Sequence, residues 1–228
     1  MEPVPSRLFA LKLGTGSRLP ISYQGGQASS TEKLCQRLKP KGAMTKFIFI
    51  LGGARSGKSH YAIKLAKGLS RKVAYIATCT HLDKEMKERI KLHKNSRPRH
   101  WKVVEEGKEI SSTLNKLKNR YDIVIIDCLG LFVSNLLSEN LKDSQILIVL
   151  RNLAQCISKS EDLTILVSNE VGSGIVPENP LARRFRDLLG LANQTMAKNA
   201  DEVIFMQSGI PIMIKGGRED AKIKRDYR

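Results

Sequence analysis

One octapeptide in the chain has the residue types and spacing needed to bind phosphate: Gly52-Gly53-Ala54-Arg55-Ser56-Gly57-Lys58-Ser59. It fits G-x-x-x-x-G-K-[ST], the P-loop pattern. Its glycines allow backbone N–H groups to surround phosphate oxygens without an intervening Cβ atom. Lys58 then reaches the outer phosphates, and the Ser59 hydroxyl is a ligand for Mg²⁺. The octapeptide predicts triphosphate binding; the alternative is a glycine-rich turn with a solvated lysine.

The segments on either side of the octapeptide support the first interpretation. Residues 47–51 are a short apolar run, long enough for one buried strand. Residues 60–68 have apolar side chains at helical spacing, with Gly68 near the expected end. A helix that begins directly after the glycine loop directs its positive end at the bound phosphates. Strand, loop and helix therefore occur in the order that phosphate binding requires.

An aspartate at the end of another apolar run is the candidate partner acid. Residues 122–127 read as a buried strand that ends in Asp127. A carboxylate in this position holds Mg²⁺ directly or through water in P-loop enzymes. The alternative is a strand-end aspartate that caps the next helix. We favour the metal role because the P-loop requires an acid to complete its metal site.

A histidine between two arginines is a candidate nucleophile. Arg89, His93 and Arg97 recur at intervals of four residues, which forms one stripe on a helix. The neighbouring positive charges disfavour the cationic imidazole and keep it neutral. Such a ring could attack an α-phosphorus and form a covalent nucleotidyl-histidine. On the residue pattern alone, a basic solvated face with a half-buried histidine is the simpler interpretation.

A polar loop at residues 169–180 follows a predicted strand at residues 163–168. It contains carboxylates, amides and glycines, at a position where substrates bind in α/β proteins. Three arginines follow it, Arg183, Arg184 and Arg186. The loop is either a turn with a helix cap or the lining of a polar substrate pocket, and the sequence leaves both interpretations open.

The remaining pattern predicts an α/β protein that resembles P-loop NTPases, with a mostly parallel sheet and helices on both faces. Further strands are predicted at 73–77, 202–206 and 210–214, the last two pairing through residues 207–209, and a short extended piece at 101–104. Helices are predicted at 82–94, 110–117, 129–137, 146–157 and 181–197. Ligands of such sheets bind at the carboxyl ends of the strands.

Composition favours a cytoplasmic protein with a polyanionic substrate. The net charge of +17 is partly concentrated at the two ends, and aromatic residues make up only 5%. We interpret the charge as a preference for a polyanionic substrate, and we expect no nucleic-acid partner. Four separated cysteines (Cys35, Cys79, Cys128 and Cys156) favour a reducing compartment. No apolar run is long enough to span a membrane.

Three regions are predicted along the chain. Residues 1–43 are rich in glycine, serine and proline without a sustained period, which predicts a disordered extension; an ordered arm is the alternative. Residues 44–215 form one folded domain, and residues 216–228 a charged tail.

Several segments together resemble the bifunctional adenosylcobinamide kinase / adenosylcobinamide-phosphate guanylyltransferase family of cobalamin synthesis. They are GGARSGKS, VAYIAT, the run from Asp83 to Trp101, NEVGSGIVPEN and the later ARRFRDLLG with the following Asn193-Gln194. The likeness covers about residues 46–215, nearly all of the predicted domain. It implies phosphorylation of the aminopropanol hydroxyl of adenosylcobinamide, followed by transfer of GMP from GTP to that phosphate with release of pyrophosphate.

The resemblance also implies roles for particular residues. The family's guanylyl-carrying histidine matches His93, which is preceded by Leu92 in this chain. Mg²⁺ is the implied metal, ATP or GTP the implied nucleotide substrate, and a homotrimer the implied assembly. Residues implied to line the nucleotide site, besides the P-loop and Asp127, are Ala77, Thr78, Cys79, Lys94, Asn95, Ser96 and Arg97.

Two other functions are compatible with the P-loop. One is a kinase of another small hydroxylated metabolite, which would form no covalent adduct and release no pyrophosphate. The other is a nucleotide-dependent switch or nucleic-acid-binding ATPase, suggested by the basic charge, which would bind polynucleotides in a salt-sensitive way.

Overall fold

A computed structural model describes residues 45–79 and 97–216. Strands and helices alternate along most of this part of the chain, as the sequence predicts. In chain order the elements are β1 (Phe47–Gly52), α1 (Lys58–Leu69), β2 (Val73–Ala77), β3 (Lys102–Glu105), α2 (Ile110–Leu117), β4 (Ile123–Asp127), α3 (Leu129–Ser138), α4 (Asp143–Ser158), β5 (Leu163–Asn169), α5 (Pro180–Asn199), β6 (Glu202–Gln207) and β7 (Ile210–Lys215).

The strands form one sheet in the order β3-β2-β4-β5-β1-β6-β7. All neighbouring pairs are parallel except β6 and β7, which pair antiparallel as predicted. The hairpin turn between these two has positive φ at Ser208 (51°) and Gly209 (83°), the backbone that a two-residue hairpin favours. The carboxyl ends of the parallel strands therefore meet at one edge, which brings Gly52, Asp127 and Asn169 into the same region.

Both faces of the sheet are covered by apolar side chains. One buried cluster joins Ile48 and Ile50 of β1 to Tyr61 and Leu65 of α1. A second cluster on the opposite face contains side chains from α2, α3, α4 and α5. Because parallel strands are buried on both sides, they read as continuous apolar runs, as β1 does. The predicted α/β architecture with helices on both faces is confirmed.

The ends of the helices follow local chemistry. Helix α5 begins at Pro180 because the Asn179 Oδ1 atom accepts hydrogen bonds from the backbone N–H groups of Leu181 (2.8 Å) and Ala182 (3.1 Å). At its other end the Lys215 ammonium group donates to three backbone carbonyl oxygens at positions 197, 198 and 200. Those carbonyl groups have no partner within the helix, so the lysine satisfies them.

Some predictions fall elsewhere in the chain. The extension at residues 1–43, the helix at 82–94 and all of the charged tail except Gly216 lie outside the described residues. Within the described ranges, no helix has both the length and the apolar composition required to cross a bilayer.

Candidate nucleotide site

The P-loop residues form a turn that opens the N-terminus of α1. Gly57, the residue before the helix, has φ of 93°, and Arg55 has φ of 54°, so the loop depends on left-handed backbone. Within the described part of the chain, no side chain caps α1 and its first turn contains no acidic residue. The first backbone N–H groups of a helix otherwise need a partner, and a phosphate group supplies acceptors for them.

Two neighbouring segments hold the P-loop in place. The Gly209 N–H group, in the β6–β7 turn, donates to the Ser56 carbonyl oxygen at 3.1 Å, and the Glu170 N–H group donates to the Gly52 carbonyl oxygen at 2.9 Å. A Cβ atom added at Gly52 would lie only 2.4 Å from the carbonyl oxygen of Met206. Only glycine therefore permits β1 to approach β6 this closely.

Lys58 is almost completely buried, with 6% of the residue exposed. Its Nζ atom donates to the Gly53 carbonyl oxygen at 2.6 Å, which holds the ammonium group against the loop. Burial lowers the pKa of Lys58, and the Asp127 carboxylate is one of the groups that oppose the shift. The Cys128 thiol adds little charge near pH 7, because burial raises its pKa to about 12. A buried ammonium group beside backbone donors favours a polyanionic ligand.

Asp127 ends β4 as predicted and accepts a hydrogen bond from the Tyr75 hydroxyl group at Oδ2. Burial and the neighbouring Asp127 charge raise the pKa of Tyr75 well above its ordinary value, so the phenol stays protonated and donates. Among the described residues, no other side-chain hydrogen bond to this carboxylate occurs. The Tyr75 hydroxyl group therefore holds this carboxylate at one of its two oxygens.

The residue types suit Mg²⁺. The site offers a hydroxyl oxygen from Ser59, in the first turn of α1, and a carboxylate oxygen from Asp127. Mg²⁺ prefers oxygen ligands, and in nucleotide sites it takes one or two from protein and the rest from phosphates and water. This donor set fits Mg²⁺ bound together with a nucleotide, so the metal role of both residues remains our prediction.

Thr78, directly after β2, forms hydrogen bonds to the backbone at the end of β4. It is fully buried, and its hydroxyl group donates to the Cys128 carbonyl oxygen (2.8 Å) and accepts from the Cys128 N–H group (2.6 Å). Its own N–H group donates to the Asp127 carbonyl oxygen at 3.0 Å. Thr78 therefore positions the backbone that presents Asp127. Nucleotide contact by Thr78 and its half-buried neighbours Ala77 and Cys79 stays a prediction.

Arg97 lies beside the same group of residues. Its guanidinium carbon stands 3.7 Å from the centroid of the Tyr75 ring. Its Nε and Nη1 atoms are buried, and no group in residues 45–79 or 97–216 forms a hydrogen bond with them. The other predicted residues of this segment, His93, Lys94, Asn95 and Ser96, lie outside the described residues.

Hydrogen bonds within the polar loop after β5, and from the helix that follows it, hold part of this loop in place. Glu170 accepts a hydrogen bond from the Gly172 N–H group at 2.6 Å, and the Arg183 guanidinium group donates to the carbonyl oxygens of Pro177 (2.9 Å) and Glu178 (2.6 Å). These bonds support the interpretation as a turn and helix cap. The other interpretation, a loop that lines a polar substrate pocket, stays a prediction.

Sequence reasoning missed two groups of residues. Tyr75 was read only as part of a strand, although a tyrosine in an apolar strand signals a buried hydroxyl that needs a partner. The second group lies behind the end of β5. There the Ser168 hydroxyl donates to Asn193 Oδ1 (2.6 Å), and Asn193 Nδ2 donates to the Asn169 carbonyl oxygen (3.0 Å). The available signal was Asn193, a polar residue that lies at apolar spacing within the predicted helix; a buried asparagine needs hydrogen-bond partners.

A glycine loop between β1 and α1, a buried lysine and an acid at the end of a neighbouring strand define a P-loop nucleotide-binding protein of the α/β class. The family is given by a direct match: residues 48–214 match the model of the cobinamide kinase / cobinamide phosphate guanyltransferase family. The chain belongs to this family and is an enzyme.

Characterised relatives agree with this assignment. The chain is 40% identical over 184 residues to the bifunctional adenosylcobalamin biosynthesis protein CobU of Salmonella typhimurium, a match that covers 74% of this chain and 99% of that protein. It is 38% identical to CobU of Escherichia coli, a match that covers 74% of this chain and 99% of that protein. It is 40% identical to the bifunctional protein CobP of Pseudomonas aeruginosa, with 73% and 96% covered.

Solved structures give a weaker likeness, at 16% identity in each case. The ATPase domain of G40P has a TM-score of 0.44 and covers 75% of this chain and 77% of its own. The flagellar accessory protein FlaH from Methanocaldococcus jannaschii has a TM-score of 0.47, and the match covers 82% of this chain and 86% of the FlaH chain. The RadB recombinase has a TM-score of 0.43, and the match covers 72% of this chain and 76% of the RadB chain. At these scores nothing about function follows.

Proposed function

We propose that this protein phosphorylates the aminopropanol hydroxyl group of adenosylcobinamide and then transfers GMP from GTP to the new phosphate. The products are adenosylcobinamide-GDP and pyrophosphate. The observation that carries the proposal is the buried Lys58 at the uncapped start of α1. It occurs in a chain that aligns with nearly the full length of two bifunctional proteins of adenosylcobalamin biosynthesis.

The P-loop residues serve both reactions in this account. The first N–H groups of α1 and the Lys58 ammonium group bind the phosphates of ATP or GTP and orient them. Ser59 and Asp127 hold Mg²⁺, which when bound neutralises part of the phosphate charge. Arg97 supplies further donors to the nucleotide, because two of its nitrogen atoms are buried without a partner in the described part of the chain.

The two reactions differ in the attacking atom. In the first, the acceptor hydroxyl oxygen forms a bond to the γ-phosphorus, the bond to the leaving diphosphate breaks, and the hydroxyl proton is released. In the second, the neutral imidazole of His93 forms a bond to the α-phosphorus of GTP and pyrophosphate leaves. A phosphate oxygen of the acceptor then attacks the same phosphorus, the P–N bond breaks, and the imidazole is regenerated.

Replacing His93 with alanine is expected to abolish guanylyl transfer and to leave the kinase reaction intact, because only the second reaction uses the imidazole. With GTP labelled at the α-phosphate, the wild type should retain acid-labile label and the variant none. His100→Ala is the matched control, since His100 is an exposed histidine seven positions later in the sequence. Label that persists in His93→Ala would exclude this nucleophile, and a wild type inactive toward adenosylcobinamide would exclude the proposed substrate.

We also propose that the protein assembles as a homo-oligomer, a trimer by family resemblance. The outer strand β7 supports this, because Ile210, Ile212 and Ile214 are 63%, 49% and 57% exposed. Apolar side chains on an edge strand favour association. Changing all three to threonine should lower the mass measured by analytical ultracentrifugation to that of a monomer. An unchanged mass would place the interface elsewhere.

A further inference from the structure

Tyr75 and Asp127 are diagonal neighbours on one face of the sheet. Tyr75 pairs with Ile125 in the parallel register, and Ala77, two residues later, pairs with Asp127. Residues two apart on a strand point to the same face, and a diagonal neighbour lies within reach of an aromatic side chain. The Tyr75 hydroxyl group therefore extends along the sheet to the carboxylate and donates to its Oδ2 atom.

The same ring also supports a cation. Arg97 stacks on Tyr75 with its guanidinium carbon 3.7 Å from the ring centroid, a cation–π contact. The Nε and Nη1 atoms of this guanidinium group are buried and have no hydrogen-bond partner among the residues that the structure describes. Buried donors are nearly always satisfied in proteins, so these two point to an anionic ligand. One tyrosine, itself only 1% exposed, thus contacts both the candidate metal acid and a cation with unused donors.

We propose that Tyr75 is a positioning residue of the nucleotide site: its hydroxyl group fixes the Asp127 carboxylate for Mg²⁺, and its ring fixes Arg97 for a phosphate oxygen of the nucleotide. This inference rests on the proposed nucleotide site but not on the identity of the phosphoryl acceptor. If the ring had only to fill the core, its hydroxyl group would add a burial cost without a function. The two contacts come from different parts of the side chain, so substitution can separate them.

The experiment measures equilibrium binding of GTP by calorimetry, over a range of Mg²⁺ concentrations and in excess chelator. Tyr75→Phe keeps the ring and removes the hydroxyl group. We expect it to raise the Mg²⁺ concentration needed for half-maximal binding about tenfold, the usual effect of losing one hydrogen bond to a charged group. GTP binding in chelator should stay within about twofold of the wild type, because the ring still supports Arg97.

Two further variants test whether the hydroxyl group and the ring of Tyr75 have separate roles. Tyr75→Leu removes the ring as well, and should additionally weaken GTP binding in chelator by about fivefold, the effect of one cation–π contact. In an Asp127→Asn background, Tyr75→Phe should produce no further change in the Mg²⁺ requirement, because the hydroxyl group acts through that carboxylate. Tyr121→Phe is the matched control, since this half-buried tyrosine packs against the cluster on the opposite face of the sheet.

Three results from the variants would overturn the inference. They are a Mg²⁺ requirement unchanged in Tyr75→Phe, an equal loss of GTP binding with and without Mg²⁺, or additive effects of Tyr75→Phe and Asp127→Asn. A wild type that binds no GTP would overturn it as well. Thermal unfolding of each variant shows whether the fold is retained, and Tyr75→Leu provides the chelator comparison should Tyr75→Phe fail to fold. A wild type that binds GTP but leaves adenosylcobinamide unchanged would refute only the proposed substrate.

Discussion

Replacement of Lys58 by methionine is expected to lower both kinase and guanylyl-transfer turnover by about a thousandfold, the effect of removing one charged donor from a site of phosphoryl transfer. Methionine keeps most of the apolar stem that the lysine buries, and it removes the ammonium group. Because both reactions use the phosphates held by Lys58, the two activities should fall together. Steady-state assays of phosphorylation and of pyrophosphate release measure them separately.

The same variant should keep or gain stability. Burial lowers the pKa of Lys58, so the folded state disfavours the charged form relative to the unfolded state. The free-energy cost of burying this charge lowers the stability of the wild type in full at pH values below the lowered pKa. The cost disappears as the pH rises toward the pKa that Lys58 has in the unfolded state. The advantage of Lys58→Met should therefore be constant at pH values below the lowered pKa of Lys58 and shrink as the pH rises above it.

Lys64→Met is the control for both measurements, because Lys64 is exposed on the same helix. It should change neither activity nor the midpoint of thermal unfolding. Full kinase turnover in Lys58→Met would contradict a shared phosphate site. A clear loss of stability in that variant would show that the hydrogen bond from Nζ to Gly53 outweighs the cost of burying the charge.

Replacement of Gly52 by alanine is expected to lower the free energy of unfolding by about 2–4 kcal/mol, the range for severe overpacking combined with backbone strain. The added Cβ atom would lie 2.4 Å from the Met206 carbonyl oxygen and 2.9 Å from the Ser56 hydroxyl oxygen. The backbone φ of 155° is also unfavourable for alanine. Relief of the clash requires β1 and β6 to separate, which displaces the P-loop and should abolish nucleotide binding.

The adjacent glycine supplies the control. A Cβ atom at Gly53 would meet no atom within 4 Å, so Gly53→Ala should unfold at nearly the wild-type denaturant concentration. Chemical denaturation of both variants gives the comparison. If the two alanine variants were equally stable, the close approach of β1 to β6 could not be the reason for glycine at position 52.

The parts of the protein that could be predicted are those that depend on local sequence. The strand before the P-loop, the loop itself and the helix after it are adjacent in the chain, so spacing and hydrophobic pattern were sufficient. Asp127 was predictable for the same reason, as the last residue of an apolar run. The hairpin of β6 and β7 followed from a turn with Gly209.

The parts that could not be predicted depend on register between distant strands. The bond from Tyr75 to Asp127 exists because β2 lies directly beside β4, and a shift of one residue would turn the phenol to the opposite face. The order of strands in the sheet has no local signature. Thr78 illustrates the limit: the resemblance assigned it to the nucleotide site, while its hydroxyl group is bound to the backbone of Cys128, 50 residues later in the chain.

The hydrogen bond from the Gly209 N–H group to the Ser56 carbonyl oxygen joins the phosphate-binding loop directly to the turn of the β6–β7 hairpin. A nucleotide that orders the loop also restrains the hairpin turn, and with it the exposed isoleucines of β7. Any protein surface that docks on this edge is then thermodynamically linked to nucleotide occupancy, since linkage between two sites is reciprocal. If subunits met through β7, any effect of bound nucleotide on that contact would make subunit association and nucleotide binding depend on each other.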